Sequence, residues 1–172
     1  MSTDNTKLIN MLDMAVQQPD TKAVTSAIKH GLQQLLRDND LHLPDCVQDK
    51  AEGHYARRLI YRSEEHGYSV IAMTWGPDQA TPLHDHAGLW CVEAVCDGKI
   101  SVTQYELVEQ QGERFRFEKA GNIEEGAGAA GSLIPPHEYH TIANCCGSDC
   151  AVTLHIYGGD MDECHMFKPE GN

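Results

Sequence analysis

The chain has 172 residues, with 13 Lys and Arg against 26 Asp and Glu, for a formal net charge of -13. Hydrophobic residues make up 41% and charged residues 23%, an ordinary globular balance that excludes global disorder. The acidity repels phosphate backbones and anionic lipid, which argues against nucleic acid and membrane as partners, and no apolar run approaches the roughly 18–20 residues of a membrane span.

The first residues are polar and acidic and lack a signal-peptide core, so a cytoplasmic location is expected. The seven cysteines, at 46, 91, 96, 145, 146, 150 and 164, are then expected as reduced thiols. Leu8, Met11, Leu12 and Ala15 recur at helical spacing, with Thr3 or Asp4 as N-cap and Pro19 near the end. A second helix is predicted over about 20–38, capped by Asp20, with Val24, Ile28, Leu32, Leu35 and Leu36 as its stripe. Gly31 weakens it slightly, and a short helical turn follows Pro44.

From about residue 54 the pattern changes. Strands are predicted over 55–61, 68–75, 90–96, 100–107, 113–118, 132–135, 140–143 and 151–157, separated by Gly, Asn, Asp and Pro. The glycine-rich piece 121–131 lacks a phosphate-loop Lys-Ser/Thr and is expected to be a bend between strands. The expectation is one mainly β domain over 1–172. A helical layer occupies about 1–50, and a small antiparallel, jelly-roll-like barrel about 54–168.

Histidine is the commonest metal ligand, and ten are present. His84 and His86, in TPLHDHAGLWC, are two apart, so on a strand both point to one face. Gly76, Cys91 and Gly98 surround the pair at spacings that resemble the first cupin motif, G-x5-H-x-H-x(3,4)-E-x6-G. The leading interval is two residues longer, and Cys91 stands in the Glu slot. Pro135, His140 and Asn144 resemble the second cupin motif, with His137 where that motif has Gly. The resemblance implies a cupin barrel in which His84, His86 and His140 bind a divalent metal. With Cys91 in the Glu slot the set becomes three neutral histidines, a variation on the facial iron site with open positions.

Two further strands carry polar residues on one face. Thr153, His155 and Tyr157 alternate with Val152, Leu154 and Ile156, so the polar row faces either solvent or the site. Given the cupin match, Thr153 is expected to orient His155, and His155 to orient Tyr157. In HYARRLIYRS, alternation puts Tyr55, Arg57, Leu59 and Tyr61 on one face and sends Arg58 and Arg62 to solvent. A cation on the Tyr55 face needs an anion, and the planar Arg57 fork suits a carboxylate, either a ligand's or that of an Asp or Glu of the chain.

These segments together resemble the cysteine dioxygenase family of thiol dioxygenases over about residues 55–167. The likeness is carried by Y-x-R at 55–57, Trp75-Gly76, H-D-H at 84–86, Cys91, H-x3-N at 140–144, H-x-Y at 155–157 and C-H-x-F at 164–167. The resemblance implies a mononuclear iron(II) (Fe2+) site of His84, His86 and His140. It also implies L-cysteine bound through thiolate and amine, Arg57 on its carboxylate with Tyr55 assisting, and both atoms of O2 added to sulfur to give cysteine sulfinate. Tyr157 would hydrogen-bond substrate or oxygen, Cys91 matches the position that forms a thioether crosslink to that tyrosine in animal members, and Cys164 packs near the site. Relatives that prefer 3-mercaptopropionate carry Gln at the position of Arg57 and a different Arg near the C-terminal motif, where this chain has Asp162, Glu163 and Cys164. Two other readings stay open, a 3-mercaptopropionate or related mercapto-acid dioxygenase and a non-catalytic cupin module that binds a metal or small acid. His137 and His165 are further candidates for groups beside the site, and oligomeric state is open.

Overall fold

A computed structural model describes residues 4–147 and 149–170. The N-cap expected of Thr3 lies outside the described residues. Asp4 does take part at the start of helix α1 (Thr6–Ala15), accepting from the Thr6 N–H at 3.0 Å, a donor Asn5 leaves uncapped. Helix α2 (Thr21–Arg37) is capped as predicted, with Asp20 accepting from the Ala23 N–H at 2.8 Å. A 3-10 turn, Asp45–Gln48, follows Pro44. Gly31 has a packing reason: a Cβ there would lie 2.4 Å from Met11 Sδ, so its bare backbone lets α1 lie against α2.

Among the described residues ten strands follow: β1 (Ala56–Ser63), β2 (Tyr68–Trp75), β3 (Leu83–His84), β4 (Cys91–Asp97), β5 (Lys99–Gln111), β6 (Arg114–Gly126), β7 (Ala130–Leu133), β8 (His140–Asn144), β9 (Ala151–Tyr157) and β10 (Met166–Phe167). They form two antiparallel five-stranded sheets, in the orders β1-β2-β9-β4-β7 and β10-β3-β8-β5-β6. The first sheet is covered on both sides, so β2 and β9 are buried throughout. Val70, Ala72, Leu154 and Ile156 meet the helical stripe of Leu8, Leu12, Ile28 and Leu32. Ile71, Met73 and Trp75 point into the barrel with Ile100, Leu133 and Ile142. The strict period of two thus serves two cores at once. Gly98 turns β4 into β5 at φ 74°, and a Cβ there would lie 2.7 Å from the Cys150 carbonyl oxygen.

The structure departs from expectation in four places. β5 and β6 run on as the two 13-residue strands of one hairpin, so residues 121–126 are strand and only 127–129 bend. That hairpin is largely exposed, which removes the alternating apolar signal from its outer half. The expected strand at 132–135 starts earlier and ends at Leu133. Two-residue strands β3 and β10, too short to carry a period, were not predicted. Finally, a bulge between Leu59 and Tyr61 reverses the alternation of β1. Tyr61 therefore opposes Val70 on the helix side, and Arg62 opposes Ser69 on the barrel side, with Asp160 and Asp162 as partners at 2.6 and 3.7 Å. Arg58 lies on the face opposite Tyr55 as expected, but not in solvent: it is half-buried against the helix-side turn, where it donates to Thr74 Oγ1 at 3.2 Å. Among the described residues no helix is long and apolar enough to cross a membrane.

Candidate metal and active site

The two sheets divide the site between them. His84 on β3 is the register partner of His140 on β8, and His86 follows two residues on, so one sheet brings the three imidazoles together. Their ring centroids are 4.4, 4.8 and 5.5 Å apart, and their nitrogens lie within 4.8 Å of one another. The facing sheet supplies Cys91 and Glu93 from β4 and Thr153, His155 and Tyr157 from β9. Beside them lies a cavity of about 200 Å³, lined among others by Tyr55, Arg57, His84, Glu93, His155 and Tyr157.

The nitrogen donors are preset. His84 Nδ1 donates to the Pro82 carbonyl at 3.0 Å and His140 Nδ1 to the Glu138 carbonyl at 2.7 Å, so in both neutral rings Nε2 carries the lone pair. Among the described residues neither nitrogen of the fully buried His86 has a partner, and a bound cation would take one of them. Burial pushes His84 down to about 4 and His86 down to about 3, which keeps both rings unprotonated at neutral pH. Burial works the same way on His140, but Glu93 and the Glu138 carbonyl outweigh it and raise its pKa. The donor set, its tautomers and the orphaned His86 all fit a divalent metal.

Behind the cavity runs an ordered chain of donors. Trp75 Nε1–H, which can only donate, reaches Thr153 Oγ1 at 2.9 Å, and Thr153 Oγ1 lies 2.7 Å from His155 Nε2. The buried hydroxyl keeps its own proton satisfied only by giving it to His155 Nε2, so the ring proton sits on Nδ1. That atom faces Glu93 Oε1 at 3.3 Å, without the alignment of a full hydrogen bond. Thr153 orients His155 as expected. His155 and Tyr157 form no hydrogen bond; their rings lie nearly parallel, 14° apart, with centroids at 6.1 Å. Tyr157 instead meets the edge of His86 at 5.4 Å and contacts the Cys91 thiol, its register partner. Burial raises both Cys91 and Tyr157 well above their usual ranges, so thiol and phenol keep their protons.

At the other end of the cavity Tyr55 stacks on Trp75, with centroids 4.6 Å apart. Arg57 Nη2 donates to the Met161 carbonyl at 2.5 Å. Among the described residues no carboxylate of the chain pairs with Arg57, so the salt bridge that could have occupied it is absent. Arg62, brought to this side by the bulge, is already neutralised by Asp160 and Asp162. Cys164 lines the same cavity from the C-terminal segment, and burial raises its pKa.

A family model described as cysteine dioxygenase type I matches residues 50–170. The chain belongs to the cysteine dioxygenase type I family. Curated cysteine dioxygenases type 1 from rat and from human are each 22% identical to it over 121 residues, 66% of this chain and 55% of theirs. The chain thus spans about half the length of the curated relatives it matches. Among solved structures, an oxalate oxidase in complex with glycolate superposes with a TM-score of 0.53 at 15% identity, over 72% of this chain and 62% of that one. The cupin domain of Schizosaccharomyces pombe Cnp3 gives 0.50 at 12%, over 70% and 76%. These likenesses establish the cupin fold. Members of the family hold a metal through histidines, and His84, His86 and His140 are a candidate site of that kind.

Within this cysteine dioxygenase framework, Asn144 of the second motif is a latch. Its amide nitrogen is 3.0 Å from both the Trp75 and Gly76 carbonyls and 2.8 Å from that of Asp149. His137 is exposed on the turn before β8. His165 bonds Asp85 at 2.8 Å through its side chain, and its backbone N–H reaches the same carboxylate at 2.9 Å, tying the C-terminal segment to the H-D-H stretch. Glu93 is the site residue that sequence reasoning missed. Its buried carboxylate stands 3.2 Å from His140 Nε2. Burial opposes its charge, yet His140 and His155 hold it well below the usual carboxylate range. The signal was legible: an acid two residues after Cys91 shares its inward face, on a strand otherwise too apolar for an acid.

Proposed function

We propose that the protein is an iron(II)-dependent thiol dioxygenase that converts L-cysteine to cysteine sulfinate, a step of cysteine catabolism in the cytoplasm. The observation that carries the substrate reading is Arg57: a guanidinium without a carboxylate partner, lining the cavity that His84 also lines. This exposed guanidinium at the cavity, held in place by the Met161 carbonyl, still has donors for a bidentate carboxylate. Tyr55, fixed by its stack on Trp75, supports the same end of the substrate.

His84, His86 and His140 would hold the metal, which supplies the site for the thiolate and for activating dioxygen. Tyr157, its proton retained by burial, offers an O–H donor beside His86. Thr153 and Trp75 hold His155 in one tautomer. Cys91 and Tyr157 are in contact, and a thioether between them forms when the two side chains lose two hydrogens to dioxygen. The acidic rim of Asp162 and Glu163 suits a thiol that carries an ammonium group and disfavours a dianionic mercapto-acid. The reading predicts a higher kcat/KM for L-cysteine than for 3-mercaptopropionate in iron-loaded protein assayed side by side. The opposite order would assign the protein to mercapto-acids, and no turnover of either thiol by protein shown to hold iron would favour a binding module.

A further inference from the structure

On the reading of Arg57 as the fork that binds the substrate carboxylate, we propose that Arg62 is a positioning residue for substrate. It holds Asp162 away from Arg57 and so keeps that fork open.

The two arginines reach one wall of the cavity from one strand. Strict alternation over five residues would send them to opposite faces of β1. The bulge between Leu59 and Tyr61 cancels one step, so Arg57 opposite Met73 and Arg62 opposite Ser69 both point to the barrel side. Each then meets the segment that follows β9. Arg57 Nη2 donates to the Met161 carbonyl at 2.5 Å. Arg62 takes the carboxylates on either side of that residue, Asp160 at 2.6 Å and Asp162 at 3.7 Å.

Asp162 is the natural competitor for Arg57. It lines the same cavity and sits one residue beyond the carbonyl that Arg57 holds. In a chain with 26 acidic against 13 basic residues, a cation beside a free carboxylate pairs with it unless a second cation competes. Among the described residues Asp162 pairs with Arg62, and no carboxylate pairs with Arg57. The wall itself has other anchors. Ser69 Oγ donates to the Gly159 carbonyl at 2.6 Å, the Met161 side chain is buried, and the His165 N–H reaches Asp85 at 2.9 Å. Removing Arg62 therefore frees the Asp162 side chain more than it moves the backbone. A freed Asp162 would occupy the donors that a substrate carboxylate needs. Glu163, which also lines the cavity, is not held by Arg62 and stays the same in every variant below.

Arg62→Gln should raise KM for L-cysteine about three- to fivefold, the scale of an exposed ion pair, with kcat within about twofold of wild type. The kcat/KM for cysteamine, which has no carboxylate, should not change. No loss, or equal losses for the two thiols, would overturn the proposal. In an Asp162→Asn background the same Arg62→Gln substitution should have no further effect on KM for L-cysteine. An equal effect in both backgrounds would overturn it, since Arg62 would then act on the wall as a whole. A crystal structure of Arg62→Gln gives a readout that needs no turnover. An Asp162 oxygen within about 4 Å of the Arg57 guanidinium supports the proposal, and Arg57 without a carboxylate that near overturns it. Arg57→Gln separates the underlying reading: equal losses for L-cysteine and cysteamine in that variant would refute the carboxylate fork itself, whatever Arg62→Gln does.

Discussion

Cys91 and Tyr157 face each other directly across β4 and β9, as register partners on the inward side of the first sheet. Neighbouring antiparallel strands hold opposed Cβ atoms about 4.5–5.5 Å apart, so sulfur and ring meet without any loop having to move. Burial and the edge contact with His86 then place this pair beside the histidine cluster. Intact-mass measurement of iron-loaded protein after aerobic turnover should show a deficit of roughly 2 Da, for the two hydrogens lost on linkage. Cys91→Ser should abolish it. A deficit that survives this substitution would place the modification elsewhere.

Arg57→Gln should raise KM for L-cysteine at least about tenfold, the cost of losing a charge-assisted fork, with a smaller effect on kcat. The change should be smaller for cysteamine, which has no carboxylate. Equal losses for the two thiols would mean that Arg57 does not read the carboxylate.

Thr153 serves two buried groups, the Trp75 N–H and His155 Nε2. Thr153→Val keeps the volume and strands both, which should cost about 2 kcal/mol in urea unfolding. Thr153→Ser keeps the hydroxyl and should stay within about 1 kcal/mol of wild type. If the two variants unfold alike, the hydroxyl is not what orders this row.

The stability of the metal-free protein should fall as pH falls from 6.5 toward 4.5. Burial holds His84 at about 4 and His86 at about 3 in the fold, against 6.5 when unfolded. Below 6.5 the unfolded chain binds these protons and the folded chain does not, so each ring costs about 1.4 kcal/mol per pH unit. His140 has a raised pKa, so its contribution is present below 6.5 and is lost only as pH rises above it. Glu93, held low, loses its contribution only below about 4.5. Urea midpoints that stay flat between pH 6.5 and 4.5 would show that His84 and His86 are not buried as neutral rings.

The parts of this architecture that were legible in the sequence are those in which one period governs a whole segment. β2 and β9 match the expected bounds to the residue, because both strands are buried on both faces, alternate strictly and are closed by polar breaks. The histidines were legible because the spacing in H-x-H and the separation from His140 match a known arrangement. Arg62 is exposed as expected but lies on the barrel side, because a bulge at Ile60 leaves no mark in a strand of alternating large residues. Glu93 falls outside the cupin pattern, whose usual acid position Cys91 holds. Only the fold shows that one pleat further along, the same strand delivers a carboxylate to the same imidazoles. The Trp75–Thr153 bond joins residues 78 apart and has no local signature.

The most direct test of the proposed activity is turnover of L-cysteine by iron(II)-loaded protein under ¹⁸O-labelled dioxygen, with the product analysed by mass spectrometry. The account predicts cysteine sulfinate carrying two labelled oxygens, formed one-to-one with the oxygen consumed. Sulfinate with a single label, or oxygen consumption that yields only cystine, would contradict it.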